Sequence, residues 1–585
     1  MAKIINCKIN GMDVSVPAGT TILEAAREVG IEIPTLCFMK ELNEIGACRI
    51  CVVEANEGRG FRIVASCVYP VSEGMEVRTN SVAVQKARKT TLELLLSTHD
   101  RKCLSCVRSG NCEFQKLCND YGVEDEAKFD GEKPAYDIDG SAPHMIRDNN
   151  KCVLCRRCVA ACKAQHVSVI GANDRGIDTN VACAFDKGLA EVGCVSCGQC
   201  IVNCPTGALS EKDDTDKVFD AINDPEKIVI VQTAPAVRAA LGEEFGYEIG
   251  TGVEGKMVAA LRRLGFDKVF DTDVAADLTI MEEGTEFINR VQNGGVLPLI
   301  TSCSPGWVKF CEMYHPNLLP NLSSCKSPQQ MFGAVLKTYY AEKNGIDPKN
   351  IVSVSVMPCT AKKFEIIRDD EAAAGMPDLD ITITTRELAR MIKRARIEFT
   401  KLPDEQFDSP LGEATGAGVI FGATGGVMEA AIRTVAEVLE GKSIDNVDYH
   451  AVRGTAAVKE ATLNIAGMDV NICVVSGLED VHKILTAVEN GEKNYHFIEV
   501  MCCPGGCVNG GGQPIQPNSV RQTVDIKALR AKALYDYDAA NVRRKSHESP
   551  VVKALYDEYF EKPGSHKAHK ILHTSYVDRS NDVIK

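Results

Sequence analysis

Two runs of four cysteines share one spacing, C-x2-C-x2-C-x3-C, and give the clearest chemical signal in the chain. The runs consist of Cys152, Cys155, Cys158 and Cys162, and of Cys194, Cys197, Cys200 and Cys204, the last followed by Pro205. Thiolates at this spacing bind 4Fe–4S cubes, and in a paired arrangement the fourth cysteine of each run ligates the other cube. The first cube is therefore predicted to take Cys204 as its fourth ligand, and the second to take Cys162. A pair of four-cysteine zinc sites is the alternative.

Four further cysteines lie nearer the N-terminus, in the pattern C-x10-C-x2-C-x15-C. They are Cys37, Cys48, Cys51 and Cys67. A C-x2-C pair with two outlying cysteines is similar to the plant-type 2Fe–2S site, in which the first spacing is x4 rather than x10. The pattern predicts one 2Fe–2S cluster, with a structural zinc site as the alternative.

A histidine belongs to the next pattern, H-x3-C-x2-C-x5-C. Its members are His99, Cys103, Cys106 and Cys112. Three cysteines leave a 4Fe–4S cube one ligand short, and an imidazole on the preceding turn can complete it. All the patterns together predict one 2Fe–2S cluster and three accessory 4Fe–4S clusters. Such clusters carry single electrons and perform no bond chemistry, so a further site must exchange electrons with them.

The cysteines are concentrated in the first third of the chain, and this suggests where the domains divide. Eighteen of the 26 cysteines precede residue 205. From about residue 216, short apolar runs alternate with amphipathic stretches, which is typical of an α/β fold. The predicted domains are a 2Fe–2S domain (1–80), a 4Fe–4S segment with one histidine and three cysteine ligands (81–140), a domain with two 4Fe–4S clusters (141–215), a catalytic domain (216–515) and a C-terminal wrapping tail (516–585).

Three apolar runs of the α/β region end in cysteine. LPLITSC ends at Cys303, SVSVMPC at Cys359, and FIEVMCC at Cys502 and Cys503, with Cys507 completing a C-x3-C pair. Ligands of open α/β sheets bind beyond the carboxyl ends of the strands, so these cysteines are expected to converge on one site. The spacing by itself indicates only one more cluster.

The segments around these cysteines resemble the three signature motifs of the iron-only (di-iron) hydrogenases. They are TSCSPGW (301–307), MPCTAKKFE (357–365) and EVMCCPGGCVNGGGQP (499–514). The order of the accessory clusters and the C-terminal tail also resemble the long clostridial-type enzymes and the hydrogenase subunit of NAD(P)-linked multi-subunit complexes. The resemblance implies a multidomain α+β and α/β fold. It would contain a β-grasp ferredoxin-like N-terminal domain, the His-ligated cluster segment, a bacterial two-cluster ferredoxin domain, and an α/β catalytic domain with a helical, small-subunit-like tail.

The resemblance further implies an H-cluster, in which a 4Fe–4S cube is joined through a cysteine to a di-iron unit bearing CO, cyanide and a dithiolate bridge. By position, Cys359 and Cys503 would ligate the cube, and Cys507 would bridge to the di-iron unit. Lys362 would hydrogen-bond a cyanide, as an ammonium buried against an anion should. The side chains expected to line the pocket are Pro235, Ser327, Gln329, Met357 and Met501.

The proton route of the family maps onto a second group of residues. It comprises Glu283, Glu286 and Ser323, with Arg290 at its outer end. Glu283 and Glu286 are spaced i, i+3 and so share one helical face, which suits a relay of carboxylates. A solvated helix edge is the alternative for this pair.

Two positions depart from the family pattern. The family usually has TSCCP, whereas this chain has TSCSP, so that Cys303 stands at the relay position and Ser304 at the cube-ligand position. Either Ser304 or water fills the fourth cube site, or Cys303 ligates the cube and the relay is altered. We expect Cys303 to be essential in either case. The second departure is Cys502, where the family usually has alanine; it is interpreted as a small buried side chain.

The composition excludes several classes of protein. The net charge is −14, with 45% hydrophobic and 25% charged residues, which is typical of a globular protein and argues against a nucleic-acid partner. There is no run of 18 apolar residues and no N-terminal signal pattern, so no membrane span and a cytoplasmic location are expected. The expected partners are hydrogen and protons, together with ferredoxin and/or flavin- and NAD(P)-binding subunits.

Three functions are compatible with the cluster patterns. The favoured one is a reversible hydrogenase. A pure electron-transfer subunit, similar to the cluster-bearing subunit of respiratory NADH dehydrogenase, would not need the three cysteine motifs after residue 300. A hydrogen sensor would usually carry a fused signalling domain, and the sequence shows none.

Overall fold

The N-terminal domain is a mixed sheet covered by one helix. The computed structural model describes residues 3–124, 128–129, 131–445 and 447–582. The strands of this sheet are β1 (Ile4–Ile9), β2 (Met12–Pro17), β3 (Val52–Asn56), β4 (Arg62–Ala65) and β5 (Glu76–Arg78). Their order is β2-β1-β5-β3-β4, with β1 and β5 parallel and the other pairs antiparallel. Helix α1 (Ile22–Glu28) begins at a capping box between Thr21 and Glu24. This is the β-grasp arrangement expected from the sequence.

A helical segment connects this sheet to the next domain. It contains α2 (Val82–Ser97) and α3 (Glu113–Asp120), and the loop between them carries three cysteines. The buried Arg88 of α2 donates two hydrogen bonds to the carbonyl oxygen of Val52, at 2.8 and 3.1 Å. These bonds fasten the segment to the N-terminal sheet.

The paired cysteine runs form a small domain with an internal repeat. Its elements are β6 (Met145–Arg147), α4 (Arg157–Ala164), β7 (Gly171–Asn173), β8 (Asn180–Ala182), α5 (Gln199–Asn203) and β9 (Leu209–Glu211). Strand β6 pairs with β9, and β7 pairs with β8. Each helix begins inside a cysteine run, directly after a left-handed residue, Arg156 (φ 60°) or Gly198 (φ 69°). The repeated turn gives both runs the same local geometry.

Two four-stranded sheets form the centre of the catalytic region. Its strands are β10 (Ile228–Thr233), β11 (Lys268–Asp271), β12 (Leu299–Ile300), β13 (Ile351–Met357), β14 (Ile381–Thr384), β15 (Val458–Ile465), β16 (Met468–Ser476) and β17 (Phe497–Met501). One sheet is parallel throughout, in the order β11-β10-β13-β14. The other has the order β12-β17-β16-β15, and only β15 is antiparallel to its neighbour. The strands are mostly buried and apolar, as expected for sheets covered by helices.

Helices cover both sheets, and the C-terminal tail joins the core. They are α6 (Thr215–Asn223), α7 (Pro235–Arg238), α8 (Glu254–Leu264), α9 (Asp273–Asn293), α10 (Pro305–Tyr314), α11 (Pro328–Val335), α12 (Ala341–Asn344), α13 (Lys362–Glu365), α14 (Thr385–Arg394), α15 (Gly416–Val419), α16 (Gly426–Glu440), α17 (Leu478–Glu489), α18 (Asn518–Arg521), α19 (Ile526–Ala540), α20 (Pro550–Leu555) and α21 (His566–Leu572). Leu555, Phe560 and Leu572 of the tail pack in one buried cluster with Met331 and Phe332 of α11. Within the described ranges, every helix is too short or too polar to cross a lipid bilayer.

Candidate active site

A cavity of about 80 Å³ lies where the strands of the two catalytic sheets end. Strand β13 of one sheet leads to Cys359, while β12 and β17 of the other lead to Cys303 and Cys503. The thiols that line the cavity are those of Cys197, Cys303, Cys359, Cys502, Cys503 and Cys507. Pro235, Gln329, Met357 and Met501, four of the five residues expected in the pocket, also line it. The site is therefore a mostly apolar chamber with thiols on several sides.

Two cysteine thiols of this chamber are costly to ionise unless a cation is bound. Burial raises the pKa of both Cys359 and Cys507 to about 12. A bound metal cation offsets the cost of ionising a buried thiol, because the thiolate that forms on ligation is neutralised by the metal charge. Gly510 lets the loop after Cys507 close on the neighbouring motif, since a Cβ there would lie 2.1 Å from the Pro358 carbonyl oxygen. The residues present thus fit an iron–sulfur group held on several sides.

Lys362 is the one cationic side chain in the lining. Its ammonium donates to the Cys303 carbonyl oxygen at 3.1 Å and to both carboxylate oxygens of Glu365, at 3.0 and 2.9 Å. Glu365 also accepts bonds from Ser327 and Gln329, each at 2.9 Å. Ser327, expected in the pocket, is therefore turned to Glu365 and is not among the side chains that line the cavity. The sequence reasoning missed Glu365, although it stands in the MPCTAKKFE motif one helical turn after Lys362.

A row of polar side chains leads from Cys303 towards the surface. Glu283 is buried, which raises the pKa of its carboxyl to about 8, and its charge raises the pKa of the Cys303 thiol. The Ser323 hydroxyl interacts with Glu283, which offsets part of that rise in pKa, and lies 3.3 Å from Glu286 Oε2. Glu286 in turn accepts a bond from Arg290 at 2.5 Å, and both side chains are partly exposed. Glu283, Glu286, Ser323 and Arg290 thus form one connected set outside the cavity lining.

Two further residues contact this polar row, and the sequence reasoning did not assign them to it. The Ser324 hydroxyl lies 3.1 Å from Glu286 Oε2 and 2.8 Å from His573 Nδ1. His573 Nε2 lies 3.1 Å from Glu282 Oε2. His573 lies in the C-terminal tail, far from these residues in the sequence. The one sequence signal for Ser324 is its position directly after Ser323.

The paired cysteine runs are arranged in two groups of four. A small cavity is lined by Cys162, Cys194, Cys197 and Cys200. Cys204 lies with the other run, where its charge and that of Cys152 raise the pKa of Cys155, in addition to a larger effect of burial. The crossed ligation that the spacing predicts would use these two groups.

The two-cluster domain is in direct contact with the thiol-lined chamber. Cys197 lines both cavities. The Thr360 hydroxyl donates to the Ser196 carbonyl oxygen at 2.8 Å, and the Gln199 amide donates to the Asn509 carbonyl oxygen at 3.0 Å. One cluster loop is thereby bonded to both the second and the third catalytic motif.

The four N-terminal cysteines also converge. Cys37, Cys48, Cys51 and Cys67 are all buried, and the Cys51 and Cys67 sulfurs lie 3.3 Å apart. The Asn43 amide donates to the carbonyl oxygens of Cys37 and Cys155, at 2.8 and 3.1 Å. This asparagine therefore connects the N-terminal ligand set to the first cysteine run.

The histidine-containing set surrounds a more open cavity. Its lining includes His99, Cys103, Cys106 and Cys112, and also Cys118. Burial lowers the pKa of His99 to about 4, and its Nδ1 atom is buried without a hydrogen-bond partner in the described structure. A neutral imidazole nitrogen in that situation fits a metal ligand.

Four family models and several known proteins match this chain. The model of the iron only hydrogenase large subunit, C-terminal domain, matches residues 227–511, and that of the iron hydrogenase small subunit matches 524–579. A 2Fe–2S iron–sulfur cluster binding domain matches 2–82, and the NADH-ubiquinone oxidoreductase-G iron–sulfur binding region matches 88–127. The NADP-reducing hydrogenase subunit HndD of Solidesulfovibrio fructosivorans is 49% identical, over 98% of this chain and 99% of that protein. The chain belongs to the iron-only hydrogenase family.

Two further comparisons support the assignment. Iron hydrogenase 1 of Clostridium pasteurianum is 46% identical, over 97% of this chain and 99% of that protein. A structure of the apo FeFe-hydrogenase HydA1 from Chlamydomonas reinhardtii is 39% identical and covers 63% of this chain and 99% of its own, with a TM-score of 0.57. As an iron-only hydrogenase with accessory iron–sulfur domains, this oxidoreductase carries clusters of the 2Fe–2S and 4Fe–4S kinds and the H-cluster of its family.

Proposed function

We propose that this hydrogenase interconverts hydrogen with protons and electrons in the thiol-lined cavity, and exchanges the electrons through its accessory clusters. The observation that carries the proposal is the position of that cavity. It touches a cluster-binding loop through Cys197 on one side, and Cys303 leads to the carboxylate of Glu283 on the other. Electrons and protons would thus have separate ways in and out of a mostly apolar chamber.

The chamber would hold the H-cluster by its cysteines. Cys359 and Cys503 are assigned to the cube, and Cys507 to the bridge towards the di-iron unit. When bound, the di-iron unit supplies the site at which hydrogen is split or formed. Lys362 is oriented by Glu365 to present its ammonium to an anionic ligand, which is a strong interaction in a site of low dielectric constant.

The chain's own side chains would carry the proton. Cys303 offers a buried thiol next to Glu283, and a carboxyl with a pKa of about 8 can both accept and release a proton near neutral pH. The Ser323 hydroxyl has one proton to donate and lies between Glu283 and Glu286, so its rotation can connect the two carboxyl groups. Arg290 and Glu286, which are partly exposed, form the outer end.

The accessory clusters would number one 2Fe–2S and three 4Fe–4S. The set Cys162, Cys194, Cys197 and Cys200 is the one next to the catalytic chamber. The set containing Cys204 lies behind it, and the His99 set is fastened to that region by a bond from Arg108 to the Cys204 carbonyl oxygen at 3.1 Å. The domain boundaries proposed above, at about residues 80, 140, 215 and 515, separate these units.

The electron partner is proposed to be a flavin- and NAD(P)-binding subunit, with ferredoxin as the alternative. The similarity to HndD, a subunit of an NADP-reducing hydrogenase, favours the first. The sequence contains no Walker or flavin motif, so the chain alone should reduce ferredoxin or a dye with hydrogen but not NADP+. Reduction of NADP+ by the isolated chain would contradict the assignment of that step to a partner.

An infrared spectrum would test the proposal. The chain is coexpressed with the maturation enzymes, purified without oxygen, and examined for bands of metal-bound CO and cyanide. We expect such bands, and we expect them to shift under hydrogen. A sample with full accessory clusters that shows no bands, even after addition of a synthetic di-iron precursor, would leave an electron-transfer subunit as the function.

A further inference from the structure

Ser304 and Cys502, the two positions at which this chain departs from the family motifs, touch each other. The backbone amide of Cys502 donates a hydrogen bond to the Ser304 hydroxyl oxygen at 3.2 Å. The contact follows from the sheet, because Ser304 comes after β12 and Cys502 after β17, and these strands are parallel neighbours. Both residues line the catalytic cavity. This chain therefore lacks a thiol at position 304 but has one at position 502, which is in contact with it.

The cavity offers four thiols for the cube once those with other roles are set aside. A 4Fe–4S cube needs four ligands, and thiolate is much preferred to a hydroxyl group. Of the six thiols that line the cavity, Cys197 belongs to a set that already has four cysteines of its own. Cys303 interacts electrostatically with Glu283 and is assigned to the proposed proton relay. The remaining four are Cys359, Cys502, Cys503 and Cys507.

Cys502 is in reach of the same site as Cys503. The regular strand ends at Met501, so the alternation of side chains between two faces does not continue through the next two residues. The thiols of Cys502, Cys503 and Cys197 all line the cavity, and the interactions of Cys502 with the other two raise the pKa of its thiol. The Ser304 hydroxyl oxygen accepts the bond from the Cys502 amide, and a hydroxyl group is a poorer ligand for cluster iron than a thiolate.

We propose that Cys502 is the fourth ligand of the H-cluster cube, in place of Ser304, and that Cys303 is thereby free to carry protons. This inference rests on the proposed function. On binding iron, the Cys502 thiol loses its proton to solvent and the sulfur forms the iron–sulfur bond. The contact between Cys502 and Cys197 then joins a ligand of the cube directly to a ligand of the adjacent accessory cluster, which provides a short path for electrons.

The test compares four variants of the full chain, made without the maturation enzymes so that only cubes and accessory clusters assemble. They are Cys502→Ala, Ser304→Ala, the double variant Ser304→Cys/Cys502→Ala, and Cys473→Ala. Cys473 is a fully buried thiol on the neighbouring strand β16, away from the cavity lining, and serves as the matched control. Iron per chain and Mössbauer spectra of ⁵⁷Fe-labelled protein are measured for each.

We expect Cys502→Ala to lose about one iron atom if the cube survives as a three-iron cluster, and about four if it is lost. Ser304→Ala and Cys473→Ala should keep the wild-type iron content, and the double variant should regain it. Full iron content in Cys502→Ala, or a loss confined to Ser304→Ala, would overturn the inference, as would a double variant that stays depleted. Wild-type protein without CO and cyanide bands after maturation would instead contradict the proposed function itself, whatever the variants show.

Discussion

The Lys362 ammonium lies 2.9 Å from the Glu365 carboxylate, and both side chains are almost fully buried. Glu365 also accepts bonds from Ser327 and Gln329, so a single carboxylate holds three side chains at one wall of the cavity. Its negative charge balances the one ammonium that faces the site. Glu365 is therefore a positioning residue, acting through Lys362 rather than on the cofactor.

Replacing Glu365 with glutamine should destabilise the catalytic domain. The substitution leaves the Lys362 charge buried without a counter-charge, and breaking such a pair costs about 3–5 kcal/mol. We expect a lower melting temperature in anaerobic calorimetry. Glu558→Gln provides the control, because Glu558 pairs with Lys343 on the surface and exposed pairs contribute little. Equal melting temperatures for Glu365→Gln and Glu558→Gln would show that the buried pair is not needed.

Replacing Glu283 with glutamine should interrupt proton transfer. The carboxyl lies between Cys303 and Ser323, and a glutamine of the same shape cannot pass a proton on. We expect hydrogen evolution to fall by about 10²–10⁴-fold, with CO and cyanide bands unchanged, because Glu283 does not line the cavity. In the wild type, evolution should decline as pH rises through about 8, where Glu283 loses its proton. A wild-type pH profile without that decline would argue against this route.

The same carboxyl should make stability depend on pH. Burial raises the folded-state pKa of Glu283 from 4.5 to about 8, so the folded chain retains this proton when the unfolded chain has lost it. The contribution of Glu283 to folding is fully present below about pH 4.5 and is lost as pH rises through about 8. The melting temperature of Glu283→Gln should therefore rise relative to wild type across this window. A constant difference between the two proteins would contradict the raised pKa.

The sequence predicts the strand ends of this site better than the contacts behind them. β13 and β17 are short apolar runs that lead to cysteines, so both the strands and the cysteines beyond their carboxyl ends could be predicted from the pattern, although the two strands belong to different sheets. The contact between His573 and Ser324 could not, because it joins residues 249 positions apart and depends on how the tail packs. Ser327 illustrates the same limit: the family resemblance places it near the pocket, and only the fold turns it towards Glu365.

His99 should be required for one accessory cluster. Its buried Nδ1 atom has no hydrogen-bond partner in the described structure and shares a cavity with three cysteines at ligand spacing. We expect His99→Ala to contain about four fewer iron atoms per chain. His99→Cys should keep the cluster and lower its reduction potential, since a thiolate brings a negative charge that a neutral imidazole does not. Redox titration followed by electron paramagnetic resonance would measure the shift.

Cys118 provides the control for that experiment. It is buried and lines the same cavity, but lies outside the ligand spacing. Cys118→Ala should therefore keep its full iron content. Iron loss in Cys118→Ala with full content in His99→Ala would assign the fourth ligand to the cysteine instead.

Cys303→Ala should separate proton transfer from cluster binding. Cys303 lies next to Glu283, and its backbone carbonyl accepts a bond from Lys362, so its thiol is well placed for a relay while its backbone holds the lysine. Alanine keeps the carbonyl and removes only the thiol. We expect hydrogen turnover to fall by at least about 10²-fold, with iron content and the CO and cyanide bands retained. Loss of iron from Cys303→Ala would mean that Cys303 is a cube ligand, and an unchanged rate would remove it from both roles.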